Sequence, residues 1–400
     1  MLKTLKNQLK NVDFVLYKRK MYILMEISRN NHYVPIWYQK RFMLKEQTSY
    51  FCLDKKSGYC FIPGRSCVKK EEILHKGPSC FFCQKDLYTT RSLFTGEEND
   101  EIEKYLFGKI DIEGRLAFEA LMSEDWMSEA NERYSHLFEY IDAQLLRTPR
   151  GIFWIKKSSN AKSQNELMLY MQAIRLAHCV TWIESAKEIV SAEKSETKFI
   201  VSDNPVALYN PKYHPNRDWH QYERADGIPI FHKGTRTLFP IDMNHCLILY
   251  NPEYTQNPTL KIALENRTNS RLYDNIIHRT DDINKTKLLS EKEVLQINLL
   301  LKNNAERYIS ASREEWLYPE RIVNPSWISF NKLLLPKYPR FPGEMYTFGK
   351  DGKLSYTQDG FGRKPSNLAE WEEKAKEAQR IHENIEKALE NERKRKKSEM

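Results

Sequence analysis

One stretch near the beginning of the chain decides the fold: Asn31-His32-Tyr33-Val34-Pro35-Ile36-Trp37-Tyr38-Gln39-Lys40-Arg41-Phe42. It combines an imidazole, a proline that fixes the backbone, several large aromatic rings and a Lys-Arg pair. Large aromatic side chains bury a great deal of apolar area, so this density is unusual for a surface loop. We therefore interpret the stretch as an anchored entry into the hydrophobic core, around which the remaining chain is organised.

The composition is that of a globular protein with an ordinary core. The 400 residues are 40% apolar and 12% aromatic, which is enough for one large or two medium domains. No run approaches the roughly eighteen apolar residues that cross a bilayer, and the first residues lack the apolar segment of a secretory signal. We therefore predict a cytoplasmic protein with no membrane partner.

Positive charge is concentrated near the N-terminus. The formal net charge is +9, and residues 1–45 hold ten Lys and Arg against Asp13 and Glu26. A second basic run, Arg393-Lys394-Arg395-Lys396-Lys397, follows a stretch rich in glutamate. Basic segments attract nucleic acid or another polyanion, because contact with phosphates releases counterions. They also keep proteins soluble, and both interpretations stay open.

The seven cysteines indicate reduced thiols, with a zinc site as the alternative. Five of them, Cys52, Cys60, Cys67, Cys80 and Cys83, fall close together in the sequence. An odd total without a secretory signal argues against a disulfide framework. Cys80 and Cys83 have the spacing of half a structural zinc site, but a second Cys-x-x-Cys is absent from the sequence.

The order of apolar patterns predicts an α+β fold, with mixed helices and a small, mostly antiparallel sheet. Two apolar runs around an Asp-Ser-Gly turn predict a β-hairpin over residues 50–62, and helical periods predict helices over 100–122, 129–147 and 164–190. Short apolar runs predict strands at 198–201, 237–241 and 246–250. Ser290 and Glu293 form the pattern of a capping box, which predicts that another helix begins there.

Composition divides the chain into four predicted regions. Residues 1–29 form a basic N-terminal extension, and residues 30–314 form the main α+β domain. Residues 315–365 are rich in proline and aromatic residues and are predicted to wrap over the body. Residues 366–400 are predicted to form a charged helix with a thin apolar stripe, which packs on the body or mediates self-association.

Several separated segments resemble, in the same order, one protein family. They are the His32-Tyr33-Val34-Pro35 block with Tyr38 and Phe42, Asp54-Lys55, the helix from Glu103 to Glu113, Arg147-Thr148-Pro149, Ser202-Asp203-Asn204-Pro205-Val206, Phe239-Pro240, and the helix with Asn298 and Ala305. Over about residues 30 to 312, these blocks resemble the bacterial family catalogued as domain of unknown function 4238 (DUF4238). The cysteine cluster and both terminal regions depart from the family pattern.

The resemblance implies no settled biochemical activity. Some members of the family are similar to stand-alone genes carried in anti-phage defence islands. This implies an antiviral effector that harms or halts an infected cell.

Four side chains are candidate catalytic residues: His32, Asp203, and Glu103 and Glu113 of one predicted helix. A metal-assisted phosphodiesterase needs carboxylates to hold a divalent ion and a base to activate water. Each candidate also has a structural interpretation. Asp203 lies in a Ser-Asp-Asn-Pro sequence typical of a turn that caps backbone groups, and His32 could bond a backbone carbonyl beside Pro35.

Three arginines, Arg41, Arg147 and Arg150, are candidates for phosphate contacts, because a guanidinium binds phosphate through two parallel hydrogen bonds. Each could equally pair with a carboxylate. The sequence holds no glycine-rich phosphate loop, Gly-x-Ser-x-Gly or His-Glu-x-x-His.

Together with the resemblance, these residues predict a defence effector that acts on nucleic acid, as a nuclease using His32 and Asp203. The predicted cofactor is a divalent metal, and a structural zinc is the second choice. The alternative is a non-enzymatic protein that binds nucleic acid or another polyanion. The nuclease hypothesis further predicts that Asp203→Ala or His32→Ala abolishes activity with little change in melting temperature.

Overall fold

The computed structural model describes residues 29–60, 68–69, 72–91, 96–123, 126–213, 228–251, 254, 261–267, 283–323, 344–349, 351–359, 364–365 and 367–398. The predicted N-terminal extension lies outside these residues except for Arg29. Much of the proline-rich 315–365 region also lies outside them. The rest is a mixture of helices and mostly antiparallel sheets, which confirms the predicted α+β class.

The described residues form seven α-helices: α1 Ile36–Lys40, α2 Gly108–Met122, α3 Trp126–Leu146, α4 Pro149–Ser159, α5 Gln164–Ile183, α6 Glu291–Asn304 and α7 Leu368–Ser398. A π-helical segment, Ile102–Phe107, runs directly into α2. Short 3₁₀ turns lie at Pro78–Cys80, Ile262–Leu264, Glu314–Leu317 and Pro319–Arg321.

They also form seventeen strands: β1 Asn30–His32, β2 Tyr50–Asp54, β3 Tyr59–Cys60, β4 Val68–Lys69, β5 Ile73–Lys76, β6 Cys83–Lys85, β7 Thr90–Arg91, β8 Glu98–Asn99, β9 Ala186–Ser191, β10 Val201–Ser202, β11 Ala207–Tyr209, β12 Arg236–Pro240, β13 His245–Tyr250, β14 Ile283–Leu288, β15 Tyr308–Ala311, β16 Glu344–Phe348 and β17 Leu354–Asp359. One sheet has the order β10-β15-β2-β5 and is antiparallel throughout. A second sheet has the order β11-β12-β13-β9-β14, in which only β9 and β14 are parallel. The remaining pairs are β1-β6, β3-β4, β7-β8 and β16-β17.

The predicted hairpin over residues 50–62 is wrong. β2 pairs with β15 and β5, while β3 pairs with β4. β15 lies about 250 residues further along the chain, and hydrophobic pattern alone does not reveal so distant a strand partner. Consequently Asp54 and Lys55 do not lie in a hairpin turn but beside the segment that enters β15.

The helix predicted over 164–190 ends earlier than expected. α5 stops at Ile183, and β9 begins three residues later as a central strand whose six residues are all buried. A short buried run carries no clear period, so the sequence did not separate this strand from the helix before it. Lys187 and Glu188 are polar, but Lys187 Nζ donates to two carbonyls and Glu188 pairs with Lys287.

Local signals set the ends of other helices as predicted. The capping box of α6 is present, with the Ser290 N–H donating to the Glu293 carboxylate at 2.8 Å. The proline after α3 ends that helix, and Pro149 also starts α4, whose Thr148 cap accepts from Gly151 N–H at 3.1 Å.

The aromatic stretch does enter the core. Tyr38 and Phe42 are fully buried, and Tyr38 stacks on Phe239 with 5.3 Å between ring centroids. Gln39 is also buried, and it links the Val34 carbonyl at 2.7 Å to the Tyr50 hydroxyl at 2.6 Å. The stretch thus joins the four-stranded sheet to the helices and to β12.

The charged helix predicted at the C-terminus is α7, with 31 residues. It packs on β17, and its Ala378 is fully buried. Its His382 contacts Phe348 of β16, with ring centroids 4.7 Å apart. Its role in self-association stays a prediction. No helix in the described part of the chain has the length and apolar character needed to span a membrane.

Candidate functional site

Two polar clusters meet at Tyr33, which lies in the aromatic stretch. The Arg147 cluster consists of Glu103, Asp111 and Arg147, and the Asp203 cluster consists of Asp203 and the residues it holds at 306–308. The Tyr33 carbonyl accepts a hydrogen bond from Arg147 at 3.1 Å. Burial and then the Asp203 carboxylate raise the pKa of the Tyr33 hydroxyl. Segments far apart in the sequence therefore converge at this residue.

Arg147 is fully buried, and its guanidinium and its carbonyl both form hydrogen bonds within the protein. Its Nη2 donates to Asp111 at 2.7 Å, and its own carbonyl accepts from the buried Tyr88 hydroxyl at 2.8 Å. Its guanidinium carbon lies 5.4 Å from the centroid of the Phe107 ring. These contacts favour an Arg147 that pairs with a carboxylate over one that contacts a phosphate. At 1% exposure, its guanidinium is not accessible from solvent.

Glu103 is the carboxyl group with the most unusual environment in the Arg147 cluster. Its Oε2 is buried and has no hydrogen-bond partner in the part of the chain that the structure describes. Burial raises the pKa of Glu103 to about 7. The carboxylates of Asp111 and Asp100 also raise it, whereas the positive charge of Arg147 lowers it. A carboxyl group that titrates near neutral pH can both accept and release a proton.

The π-helical segment explains why Asp111, rather than Glu113, joins Glu103. A π turn contains an extra residue, so it rotates the following helix relative to a regular α-helical projection. Asp111 thereby comes close enough to act on Glu103, while Glu113 pairs with Arg133 at 3.2 Å. Glu103 and Glu113, both candidates on the helix predicted over 100–122, therefore have different partners in the structure.

Asp203 is buried and holds the main chain that leads into β15. Its two carboxylate oxygens accept hydrogen bonds from the backbone N–H groups of Glu306, Arg307 and Tyr308, at 2.7 to 2.9 Å. Burial raises the pKa of Asp203, and these three donors oppose the rise by stabilising the charged form. The contacts match the backbone-capping interpretation of the Ser-Asp-Asn-Pro sequence.

The neighbours of Asp203 continue this cross-link between distant segments. Asn304 donates to the carbonyls of Asn204 and Val206, both at 3.1 Å, and Asn204 donates back to the Asn304 carbonyl at 3.3 Å. The Ser202 hydroxyl accepts from the Asn204 N–H at 3.3 Å, which closes a local turn. The turn therefore fixes the end of α6 against β10.

Three basic side chains surround the Asp203 cluster. Lys55 Nζ caps the C-terminal end of α6 by donating to the Lys302 and Ala305 carbonyls, both at 2.6 Å. Arg150 donates to the Asn304 carbonyl at 2.7 Å. Arg307 forms a bidentate pair with Asp54, at 2.8 and 2.6 Å, and is 40% exposed.

His32 and Arg41 lie at the two ends of the aromatic stretch and bond to main-chain carbonyls. His32 Nε2 is 3.2 Å from the Ser79 carbonyl oxygen, and Arg41 Nε donates to the Ile241 carbonyl at 3.0 Å. These contacts account for both residues structurally. The catalytic roles of His32 and Asp203 stay predictions, and of the four candidates Glu103 has the environment best suited to proton transfer.

The thiols of Cys80 and Cys83 are free, and so are those of Cys52, Cys179 and Cys246. Within the described ranges, no group of three or more His, Cys, Asp or Glu side chains is arranged to hold a metal ion. Cys67 and the side chain of Cys60, which belong to the same group of five cysteines, lie outside the described residues.

Three arginine–aromatic pairs follow α6 and form what we term the arginine–aromatic strip. Guanidinium carbons lie 4.7, 5.6 and 3.6 Å from ring centroids in the pairs Arg307–Tyr308, Arg313–Trp316 and Arg321–Tyr318. The Arg313 side chain is 57% exposed. Arg313 and Arg321 are exposed, Tyr308 and Tyr318 are half-buried, and Trp316 is buried. Guanidinium groups beside aromatic rings suit the phosphates and bases of single-stranded nucleic acid.

Sequence reasoning missed Asp54, Asp111 and Arg307. Asp54 and Asp111 fall inside blocks already singled out, but their partners are far away in sequence: Arg307 is 253 residues from Asp54, and Arg147 is 36 residues from Asp111. The signal that could have found Asp111 is its position between the two glutamates on a helix adjoining Arg147.

No curated protein and no solved structure matches the chain. One family model, for the protein of unknown function DUF4238, matches residues 30–315, which contain both polar clusters. Because this match covers well over half of the chain, the protein belongs to the DUF4238 family.

Proposed function

We propose that the protein acts on nucleic acid in the cytoplasm, as a phosphodiester hydrolase in which Glu103 is the group that transfers protons. The observation that carries this proposal is the buried, unbonded Oε2 of Glu103 together with a pKa of about 7. Hydrolysis of a phosphodiester requires a base to take a proton from water and an acid to protonate the leaving oxygen. A carboxyl group with this pKa can serve in either step at neutral pH.

Arg147 and Asp111 are positioning residues in this proposal. Arg147 places a fixed positive charge beside Glu103, which limits the rise of its pKa and holds the carboxyl group available in both protonation states. Asp111 holds that guanidinium in place at 2.7 Å. Nucleic acid is the proposed substrate because the arginine–aromatic strip and the basic N-terminal sequence both suit a polyanion. The antiviral role implied by the family resemblance stays part of the proposal.

Replacement of Glu103 by Gln is expected to lower the cleavage rate by about 10²- to 10⁴-fold, because the amide has the same shape but cannot transfer a proton. The measurement uses the full chain with single- and double-stranded DNA and RNA, with Mg²⁺, with Mn²⁺ and with chelator. The wild-type rate is expected to change with pH around 7, and the E103Q variant is expected to lose that dependence.

The matched control is Glu119→Gln, since Glu119 lies on the same helix, is 54% exposed and has only a loose contact with Arg115 at 3.8 Å. Its cleavage rate is expected to equal that of the wild type. Equal rates for wild type and E103Q would remove Glu103 from the reaction. Parallel His32→Ala and Asp203→Ala variants, with folded fractions measured, test the two roles predicted from sequence.

The arginine–aromatic strip also favours a second candidate function, a non-enzymatic protein that binds single-stranded nucleic acid. This function predicts binding that weakens steeply with salt, no cleavage with any divalent ion, and weaker binding after Arg313→Ala or Arg321→Ala. Cleavage by the wild type that depends on Glu103 would decide against it.

A further inference from the structure

Two of the arginines among the described residues are fully buried, and they differ in their hydrogen bonding. Arg147 and Arg236 are each 1% exposed. Arg147 has a carboxylate partner and a carbonyl acceptor, at 2.7 and 3.1 Å. In contrast, Nε, Nη1 and Nη2 of Arg236 are all buried without a hydrogen-bond partner in the described chain.

An unpaired guanidinium in a protein interior is costly. Burial of an uncompensated charge costs several kcal/mol, and arginine cannot escape this cost by losing its proton at neutral pH. Burial does lower the pKa of Arg236, but from an ordinary value far above neutral pH. A folded protein therefore needs a negative charge at this position.

The side chains around Arg236 are aromatic. Tyr209 lies directly opposite on the neighbouring strand β11, so both side chains share one face of the five-stranded sheet. The Tyr254 ring centroid is 5.2 Å from the guanidinium carbon. The ionisable groups that act most strongly on Arg236 are Tyr254, Tyr209 and Tyr250, all of them buried phenols rather than carboxylates.

Aromatic rings stabilise a guanidinium through its faces, but they do not accept the hydrogen bonds of its N–H edge. That edge is the part that binds carboxylate or phosphate through two parallel hydrogen bonds. We infer that Arg236 binds a small oxyanion, a phosphate or a carboxylate, which is enclosed beside the tyrosines of the five-stranded sheet. This site is independent of Glu103 and of the proposed function.

Because Arg236 is fully buried, an oxyanion held there exchanges slowly with solvent and is expected to co-purify with the protein. The full chain is dialysed into chloride buffer and then denatured, and the released anions are identified by ion chromatography and mass spectrometry. One oxyanion per chain is expected. Phosphate and organic carboxylate are distinguished directly by this measurement.

A second measurement follows the melting temperature after the protein is refolded in chloride alone. Inorganic phosphate or acetate, whichever class was released, is expected to raise the melting temperature of the wild type by about 4 °C at saturation. The Arg236→Met variant, which replaces the charge by an apolar side chain, is expected not to respond and to melt above the anion-free wild type.

Arg147→Met is the matched control, because it removes a buried guanidinium that does have a carboxylate partner, and it is expected to melt well below the wild type while still responding to the anion. If no oxyanion is released and no added oxyanion raises the wild-type melting temperature more than that of R236M, the inference is overturned. Should R236M fail to fold, the release measurement on the wild type decides alone.

Discussion

The Asp203→Ala variant is expected to lose about 4 kcal/mol of its free energy of unfolding, because three backbone N–H groups lose their acceptor at once. Asp203 is 4% exposed, and its carboxylate accepts from Glu306, Arg307 and Tyr308. These hydrogen bonds are part-buried, and a donor left without an acceptor away from water costs about 1–3 kcal/mol. Urea-induced unfolding followed by circular dichroism measures the change.

This expectation reverses the one drawn from sequence, in which Asp203→Ala left the melting temperature nearly unchanged. Asp203→Asn is a useful second variant, since the amide keeps one acceptor and should recover part of the loss. Glu119→Gln serves as the exposed control and is expected to change stability by less than about 0.5 kcal/mol. A fully stable Asp203→Ala protein that has lost activity would restore the catalytic interpretation of Asp203.

The Arg147→Met variant is expected to be destabilised by about 3–5 kcal/mol, because it leaves the Asp111 carboxylate and the Tyr33 carbonyl without their shared donor. The methionine keeps most of the apolar contact with Phe107 and Tyr140, so lost packing contributes little. Chemical unfolding of the two single variants and of the double variant R147M/D111N measures the pairwise term.

The double variant should be more stable than Arg147→Met alone, since it removes the uncompensated carboxylate as well as the guanidinium. If the effects of the two single replacements instead add without coupling, Asp111 and Arg147 do not act as a unit. In that case Arg147 would not be the residue that positions charge around Glu103.

Signals that are local in sequence predicted local structure well. The aromatic stretch enters the core through Tyr38 and Phe42, the Ser290–Glu293 capping box begins α6, and Pro149 ends α3. These features depend on residues within one or two turns of each other, where spacing determines contact. The α+β class follows from the same local patterns.

Features that depend on distant partners were predicted less well. β2 pairs with β15 instead of β3. Asp203 accepts hydrogen bonds from main-chain N–H groups about a hundred residues further along the chain. The roles of the candidate residues stay predictions, because their chemistry depends on partners that spacing does not reveal. The π-helical segment is the clearest case, because it places Asp111, and not Glu113, close to Glu103.

Glu103 is expected to titrate near neutral pH, and its carboxyl group can be observed directly. Carbon-13 NMR of protein labelled at the glutamate side-chain carboxyl, with E103Q used to assign the signal, gives its titration curve. We expect a midpoint of about 7, raised from the ordinary 4.5 by burial. A midpoint near 4.5 would rule out the proposed role of Glu103, because its carboxyl group would then be fully ionised at neutral pH and would have no proton to transfer.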